Sequence, residues 1–333
     1  MATLKDIAKV AGVSISTASR ALNNSMSISD ETRKLVQDIA EKMNYRSNRM
    51  APSIDSSSKK VIAVIVPYIT PPFFSTLISG IQDAAITQEY SIMLYSTEMD
   101  RASEKKIVDL ILSMNVAGVI IAPPETEQTY CQSLHDALLP VVYVGYRPST
   151  YKSPMTAVSP DDYAGAEMAT EYLISQGMKS IILFTGPTET ISARNRADGY
   201  LNIMNRYGLT PSIYTGPFTY HAGLQIGLEM FGQPGKLHAD AVIAGADEQA
   251  IGFMHALNKI GLRIPDDISL ISFEDTFMTS LSSPELTSVS FSLYSLGAKS
   301  VSSLLKLIED NTFSDKIELI SPVLMKRKSC MQK

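Results

Sequence analysis

The residues of this chain that could do chemistry fall into two sets, and neither is catalytic. Near the N-terminus Ile15, Ser16, Thr17 and Arg20 lie within six positions of one another and combine an apolar tip, two hydroxyls and a guanidinium. That mixture suits the reading of base edges, because hydroxyls donate or accept and arginine reaches guanine through two hydrogen bonds. Lys5, Arg33, Arg46 and Arg49 are candidate cations for phosphate or sugar contacts. The sequence carries no G-x-G-x-x-G, no G-K-[ST] and no H-E-x-x-H, and its four histidines, His135, His221, His238 and His255, lack partners at i, i+4. Cys131 and Cys330 are far apart and without metal-type spacing, so neither a metal, a cofactor nor a disulfide framework is expected.

Base-reading residues need a rigid helix, and the sequence writes one. Leu4, Ile7, Ala8 and Ala11 recur at helical spacing, with Thr3 and Asp6 near a capping box. Gly12 ends that helix and Ser14 caps the next, whose inward face is Ala18, Ala21 and Leu22, running to about Asn23. The small Ala11, with Gly12 and Val13 behind it, lets two helices cross closely, as a helix-turn-helix requires. A third helix is predicted over about Asp30 to Met43. Ser29 caps it, Asp30 and Glu31 sit at its positive end, and Leu35, Val36, Ile39, Ala40 and Met43 form its apolar stripe.

The word order of residues 2–23, then S-D-E-T-R, then N-Y-R-S-N-R-M-A, resembles the DNA-binding headpiece of the LacI/GalR family of bacterial transcription regulators. The likeness spans essentially the whole chain. It implies an α/β protein with an N-terminal three-helix helix-turn-helix headpiece and a periplasmic-binding-protein-like core of two doubly wound parallel-sheet subdomains. Residues 1–47 would form the headpiece and 48–59 a hinge helix or linker. The core would run over 60–333, its N-terminal subdomain about 60–160 and 292–321, its C-terminal one about 161–291 and 322–333. By the same resemblance the hinge helix forms on the operator, with Met50 and Ile54 reaching DNA and Ile54 as the minor-groove wedge. A helix this short is unstable alone, since about 12 to 15 residues are marginal, so folding on DNA is physically sensible. Pro52 would shorten it or delay its start.

Charge supports this division. Residues 1–60 carry ten Lys/Arg against six Asp/Glu, and the remaining 273 carry 19 against 28, so a chain of net charge -5 concentrates its positive charge at the N-terminus. Its 333 residues exceed one ordinary core. No apolar run of about 20 residues and no leader pattern occur, so the chain is expected in the cytoplasm with no membrane partner.

From Lys60 onward short apolar runs alternate with amphipathic helices, the signature of buried parallel sheets. Strands are predicted at 61–66, 92–95, 118–122, 141–144, 180–184, 241–244 and 268–273. Helices are predicted near 75–89, 101–114, 129–138, 161–175, 192–206, 221–231 and 247–260. The resemblance implies three passes between subdomains, near Pro160, Ser290 to Ser292 and Ser321-Pro322, with a helix of about 294–309 returning to the first. It also implies an effector site. Phe73 and Phe74 would line it from a loop after the first strand, with Tyr146 on the same side. Ser192 and Arg196 would contact ligand, Phe218 would stack on it, and Asp247 and Glu274 would complete the wall. Glu274 stands where the family usually has aspartate, and Gly145 where several relatives carry a polar residue. These departures leave the ligand a small polar effector, a carbohydrate or derivative of open identity. The function implied is a homodimeric repressor on a pseudo-palindromic operator. Its alternatives are a catabolite-control-type regulator that takes a phosphocarrier protein as corepressor, with Ser302 nearest the relevant position, and a solute-binding protein or enzyme.

Overall fold

The computed structural model describes residues 4–14, 17–18, 21, 28–43, 60–122, 132–146, 155–232, 239–310 and 316–331. The chain divides into two compact units, Met1–Ser58 and Lys59–Lys333. Among the described residues no helix is long and apolar enough to cross a membrane.

In the first unit α1 (Leu4–Ala11) and α2 (Asp30–Lys42) flank a helical segment that includes Thr17, Ala18 and Ala21. Ser14 caps that segment: its Oγ accepts the Thr17 amide at 3.1 Å and its carbonyl accepts the Ala18 amide at 2.9 Å. A cap of this type contributes about 1 kcal/mol. Ile7, Ala8, Ala18, Ala21, Val36 and Ala40 close a small core, with Ala11, Val13, Ile28, Ile39 and Met43 packed around it. Leu35, expected in the apolar stripe, is instead 49% exposed. The buried seam runs through Val36, Ile39, Ala40 and Met43, and a residue one position off that seam is rotated by about 100° to its edge.

The second unit holds two sheets. The first contains β1 (Val61–Val66), β2 (Ser91–Ser96), β3 (Gly118–Ile121), β4 (Val141–Val144), β5 (Thr156–Pro160) and β11 (Lys316–Ile320), in the order β11-β5-β4-β3-β1-β2, all parallel. The second contains β6 (Ile181–Thr185), β7 (Ser212–Thr215), β8 (Ala241–Ala244), β9 (Ser269–Glu274), β10 (Thr287–Ser290) and β12 (Val323–Met325), in the order β12-β10-β9-β8-β6-β7, with only β12 antiparallel. Both faces are covered, as parallel sheets demand. In β1, Ile62, Val64 and Val66 join one core while Ala63 and Ile65 join the core on the opposite face. In β8, Ala241 and Ile243 separate from Val242 and Ala244 in the same way.

Helices α3 (Pro72–Thr87), α4 (Arg101–Ser113) and α5 (Gln132–Asp136) follow strands of the first sheet. Helices α6 (Asp162–Ser175), α7 (Ile191–Arg206), α8 (Tyr220–Phe231), α9 (Asp247–Lys259) and α10 (Phe277–Leu281) belong to the second, and α11 (Leu293–Asp310) packs on α3. That last contact is backbone-close: a Cβ on Gly80 would stand 2.0 Å from the Tyr294 carbonyl, and one on Gly297 would stand 2.2 Å from that of Leu77.

Three segments join the sheets. The chain leaves the carboxyl end of β5 into α6, the carboxyl end of β10 into α11, and the carboxyl end of β11 into β12. A helix that leads into a parallel strand begins at the carboxyl edge of that strand's sheet, so the first pass connects the carboxyl edges of the two sheets. The Asp161 amide donates to the Ile320 carbonyl at 3.0 Å, tying the first pass to the third.

Strands β5, β7, β10, β11 and β12 carry none of the long β-branched runs that mark their neighbours. T-A-V-S-P and T-S-V-S are buried but small and hydroxyl-rich, and β12 has three residues. Their register comes from the sheet beside them rather than from their own propensity.

Candidate functional site

In a doubly wound sheet, the loops after two neighbouring strands diverge where the strand order reverses, and the crevice between them takes ligands. In the second sheet that point lies between β6, which continues outward to β7, and β8. The loop after β6 begins at Gly186 and the loop after β8 at Gly245. Phe218, between β7 and α8, covers both. A Cβ on Gly186 would stand 2.1 Å from the ring and one on Gly245 3.0 Å from it, so glycine at both positions is what lets the ring lie there. Gln249, fully buried on α9, fixes the loop by donating to the carbonyls of Gly216 at 3.2 Å and Pro217 at 2.9 Å.

Arg196 projects from α7 into the same place. Its Nε and Nη2 each donate to Oδ1 of Asp162 at 2.8 Å, with both side chains 7% exposed. Its Nη1 donates to the Gly245 carbonyl. Its guanidinium carbon lies 4.5 Å from the ring centroid of Phe273 and 5.5 Å from that of Phe218. One side chain therefore joins the first pass, the β8–α9 loop and two aromatic faces. Ser192 stands one turn before it on α7, half-buried.

Glu274 closes β9 with a φ of +100°, and Asp275 follows at +57°. Burial pushes the Glu274 carboxyl well above the usual carboxylate range; the negative charge of Asp247 adds to this and Arg196 opposes it. Asp247, expected on the effector wall, is buried on the first turn of α9, where its Oδ2 accepts from the Thr276 amide and hydroxyl, both at 2.7 Å. Its Oδ1 accepts from the Ser288 hydroxyl at 3.4 Å. Its oxygens are used to hold the loop after β9, and burial raises its pKa to about 6.

The structure thus brings Arg196, Phe218, Asp247 and Glu274 into one cluster. Phe73, Phe74 and Tyr146 stand at the carboxyl edge of the first sheet. Phe73 and Phe74 are on the first turn of α3 rather than in a loop, because Pro71 caps that helix and Pro72 opens it. They meet edge to face at 5.1 Å and pack against the core, so part of each ring is structural. Tyr146 is buried just beyond β4. Next to it Gly145, at φ +86°, has open space where a side chain would be.

Asp162, Gln249 and Thr276 belong to the site and have no motif of their own, whereas Phe273 stands in the expected Phe273-Glu274-Asp275 wall. Asp161-Asp162 reads as an ordinary acidic helix start, and only the fold brings it to an arginine 34 residues later.

On the DNA side, Ile15, Ser16, Arg20, Arg46, Arg49, Met50, Ile54 and the proposed hinge over 48–59 lie outside the described residues, as does the Lys5 side chain. Thr17 is half-buried, its hydroxyl 2.8 Å from that of Ser14. Arg33 is turned back on its own helix, donating to Asp30 Oδ1 at 2.5 Å and to the Ile28 carbonyl at 3.0 Å.

A capped helical headpiece ahead of a two-sheet core with a polar and aromatic crevice defines a ligand-responsive regulator. The sequence agrees. Residues 3–48 match the bacterial regulatory proteins of the lacI family, and residues 59–328 match the periplasmic binding proteins and sugar binding domain of the LacI family. The chain belongs to the LacI family and is a DNA-binding transcriptional regulator. It is 29% identical to the ribose operon repressor of Escherichia coli K12, covering 99% of this chain and 100% of that one. It is 30% identical to catabolite control protein A of Staphylococcus epidermidis, over 92% and 93%. A lac repressor dimer bound to operator and the anti-inducer ONPF superposes with a TM-score of 0.81 at 26% identity, covering 99% of each chain.

Proposed function

We propose that this chain is a repressor that binds a pseudo-palindromic operator as a homodimer in the cytoplasm, performs no catalysis, and is switched by a sugar or sugar derivative held at the Arg196 crevice. The observation that carries the ligand reading is Arg196 itself, a buried guanidinium flanked by Phe218 and Phe273. Guanidinium donors and the Glu274 carboxyl suit hydroxyls, and an aromatic face suits the C–H side of a sugar ring. Phe73, Phe74 and Tyr146 would meet the ligand from the other sheet, with Ser192 beside Arg196. For the dimer, Phe277 and Leu281 are 62% and 76% exposed along a groove of about 630 Å³ that α9 and α10 line, an apolar surface of the kind partners cover.

In the headpiece Ile15, Ser16 and Arg20 would read bases, with Thr17 at the same helix start. Lys5, Arg46 and Arg49 would meet phosphate or sugar, and Met50 and Ile54 the hinge-side groove. Arg33 would have to exchange Asp30 for phosphate. Arg20→Ala is expected to cost about 1–3 kcal/mol of operator affinity and to relax one base pair per half-site. A uniform loss across all sequences would instead make Arg20 a phosphate contact.

The test of the whole reading is a thermal-shift panel of neutral pentoses, hexoses, disaccharides and sugar acids on the full chain, followed by operator titration with each hit. A ligand at 100 times its Kd is expected to add about 2.7 kcal/mol. If none raises the melting temperature, the sugar reading falls. The corepressor reading keeps one observation of its own, a groove of about 370 Å³ between α3 and α11 lined by Ser302 and Lys306. Operator affinity that rises only with seryl-phosphorylated carrier protein would favour it.

A further inference from the structure

Glu274 and Asp275 are consecutive non-glycine residues at positive φ, a conformation that L side chains rarely adopt. Their strain sits where Glu274 enters the crevice, and something must hold it. The Asp275 amide donates to the Ser288 hydroxyl at 3.1 Å, and its Oδ1 accepts from the Thr279 hydroxyl at 3.1 Å. The strongest tie comes from elsewhere in the chain. Arg327, just past β12 and therefore beyond the third pass, pairs its Nη2 with Oδ1 of Asp275 at 2.7 Å, the side chains 18% and 13% exposed. Arg327 is itself fixed, its Nη1 donating to the Leu286 carbonyl at 2.7 Å and its amide to the Thr287 hydroxyl at 3.0 Å.

We propose that Arg327 is a positioning residue for the ligand crevice: by clamping Asp275 in the left-handed region it fixes the direction in which Glu274 leaves β9. The inference rests on the crevice being the effector site. Without the guanidinium, the Asp275 carboxylate loses its charge partner, and the two residues relax toward negative φ. Glu274 is then no longer aimed at Arg196. The segment after the third pass thereby sets the geometry of the wall that a ligand meets.

The test is a double-mutant cycle read by hydrogen–deuterium exchange on the full chain with no sugar present. Arg327→Ala is expected to raise amide exchange over 272–279 by about tenfold while 61–66 and 181–185 stay as in wild type. Glycine adopts positive φ without strain, so in an Asp275→Gly background the same Arg327→Ala change is expected to have less than about a threefold effect. Unchanged exchange in Arg327→Ala would overturn the proposal. So would a tenfold effect that persists undiminished beside Gly at 275, because Arg327 would then act through the Leu286 carbonyl as a structural tie. Should Arg327→Ala not fold, Arg327→Gln, which keeps much of the side-chain length and loses the charge, runs the same cycle with the same two outcomes. Since no sugar enters this measurement, its failure and that of the ligand panel are separate results.

Discussion

A carboxylate buried on the first turn of a helix, with its oxygens accepting from a threonine amide and two hydroxyls, has little left to offer a ligand. That is the position of Asp247. Its pKa, raised by burial from 3.8 to about 6, makes its contribution to stability pH-dependent. The folded state holds the proton over an interval in which the unfolded chain has released it. The stabilisation is therefore complete below 3.8 and is lost as pH rises through about 6. Asp247→Asn removes this term. Urea unfolding from pH 4 to 7.5 is expected to show wild type losing stability relative to the variant as pH rises toward about 6. A difference that is flat with pH would mean that Asp247 titrates normally. Burial lowers the His135 pKa, so its term changes in the opposite sense in both proteins and cancels in that difference. At this scale the sequence is readable where a residue's neighbours are near in the chain, as with Ser14 and Thr17. The hydrogen bonds of Asp247 are not readable in this way, because Thr276 and Ser288 are brought to it only by the fold.

Elements show the same dependence on distance. Strands such as β1 and β8 declare themselves through continuous β-branched or small apolar runs, whereas β5 and β10 acquire strand geometry from parallel neighbours that hold them. Helix α11 is legible as an amphipathic helix, but its tight seat on α3 is not, because it depends on two glycines meeting backbone across more than two hundred residues. Gly297→Ala would put a Cβ 2.2 Å from the Leu77 carbonyl, and neither backbone can yield alone. The variant is expected to lose about 1–3 kcal/mol, the usual range for overpacking a close contact. The gain in helix propensity from glycine to alanine, about 1 kcal/mol, works against that loss. Denaturant titration decides between them: a variant as stable as wild type would show that α11 can lift off α3 without cost.

For the whole molecule, the relevant quantity is the difference in ligand affinity between arrangements of the two sheets. A ligand that meets Arg196 and Phe218 on one sheet and Phe73, Phe74 or Tyr146 on the other favours whichever arrangement lets it touch both. It can shift operator binding by no more than that differential free energy. Arg196 is a poor residue with which to test this, since Arg196→Ala would also take the guanidinium from the buried Asp162 carboxylate and so cost folding stability. Phe218 is the better probe. Its ring lies over two glycines, it makes no ion pair, and its loop is held independently by Gln249. Phe218→Ala is expected to abolish the response of operator binding to the sugar that stabilises wild type. Affinity without sugar should stay within about a factor of ten, or ~1.4 kcal/mol. A variant that still responds at wild-type sugar concentrations would move the ligand off this crevice. A variant whose sugar-free operator binding collapses would make Phe218 part of the scaffold that orders β6, β8 and their loops, leaving the ligand contact to other side chains.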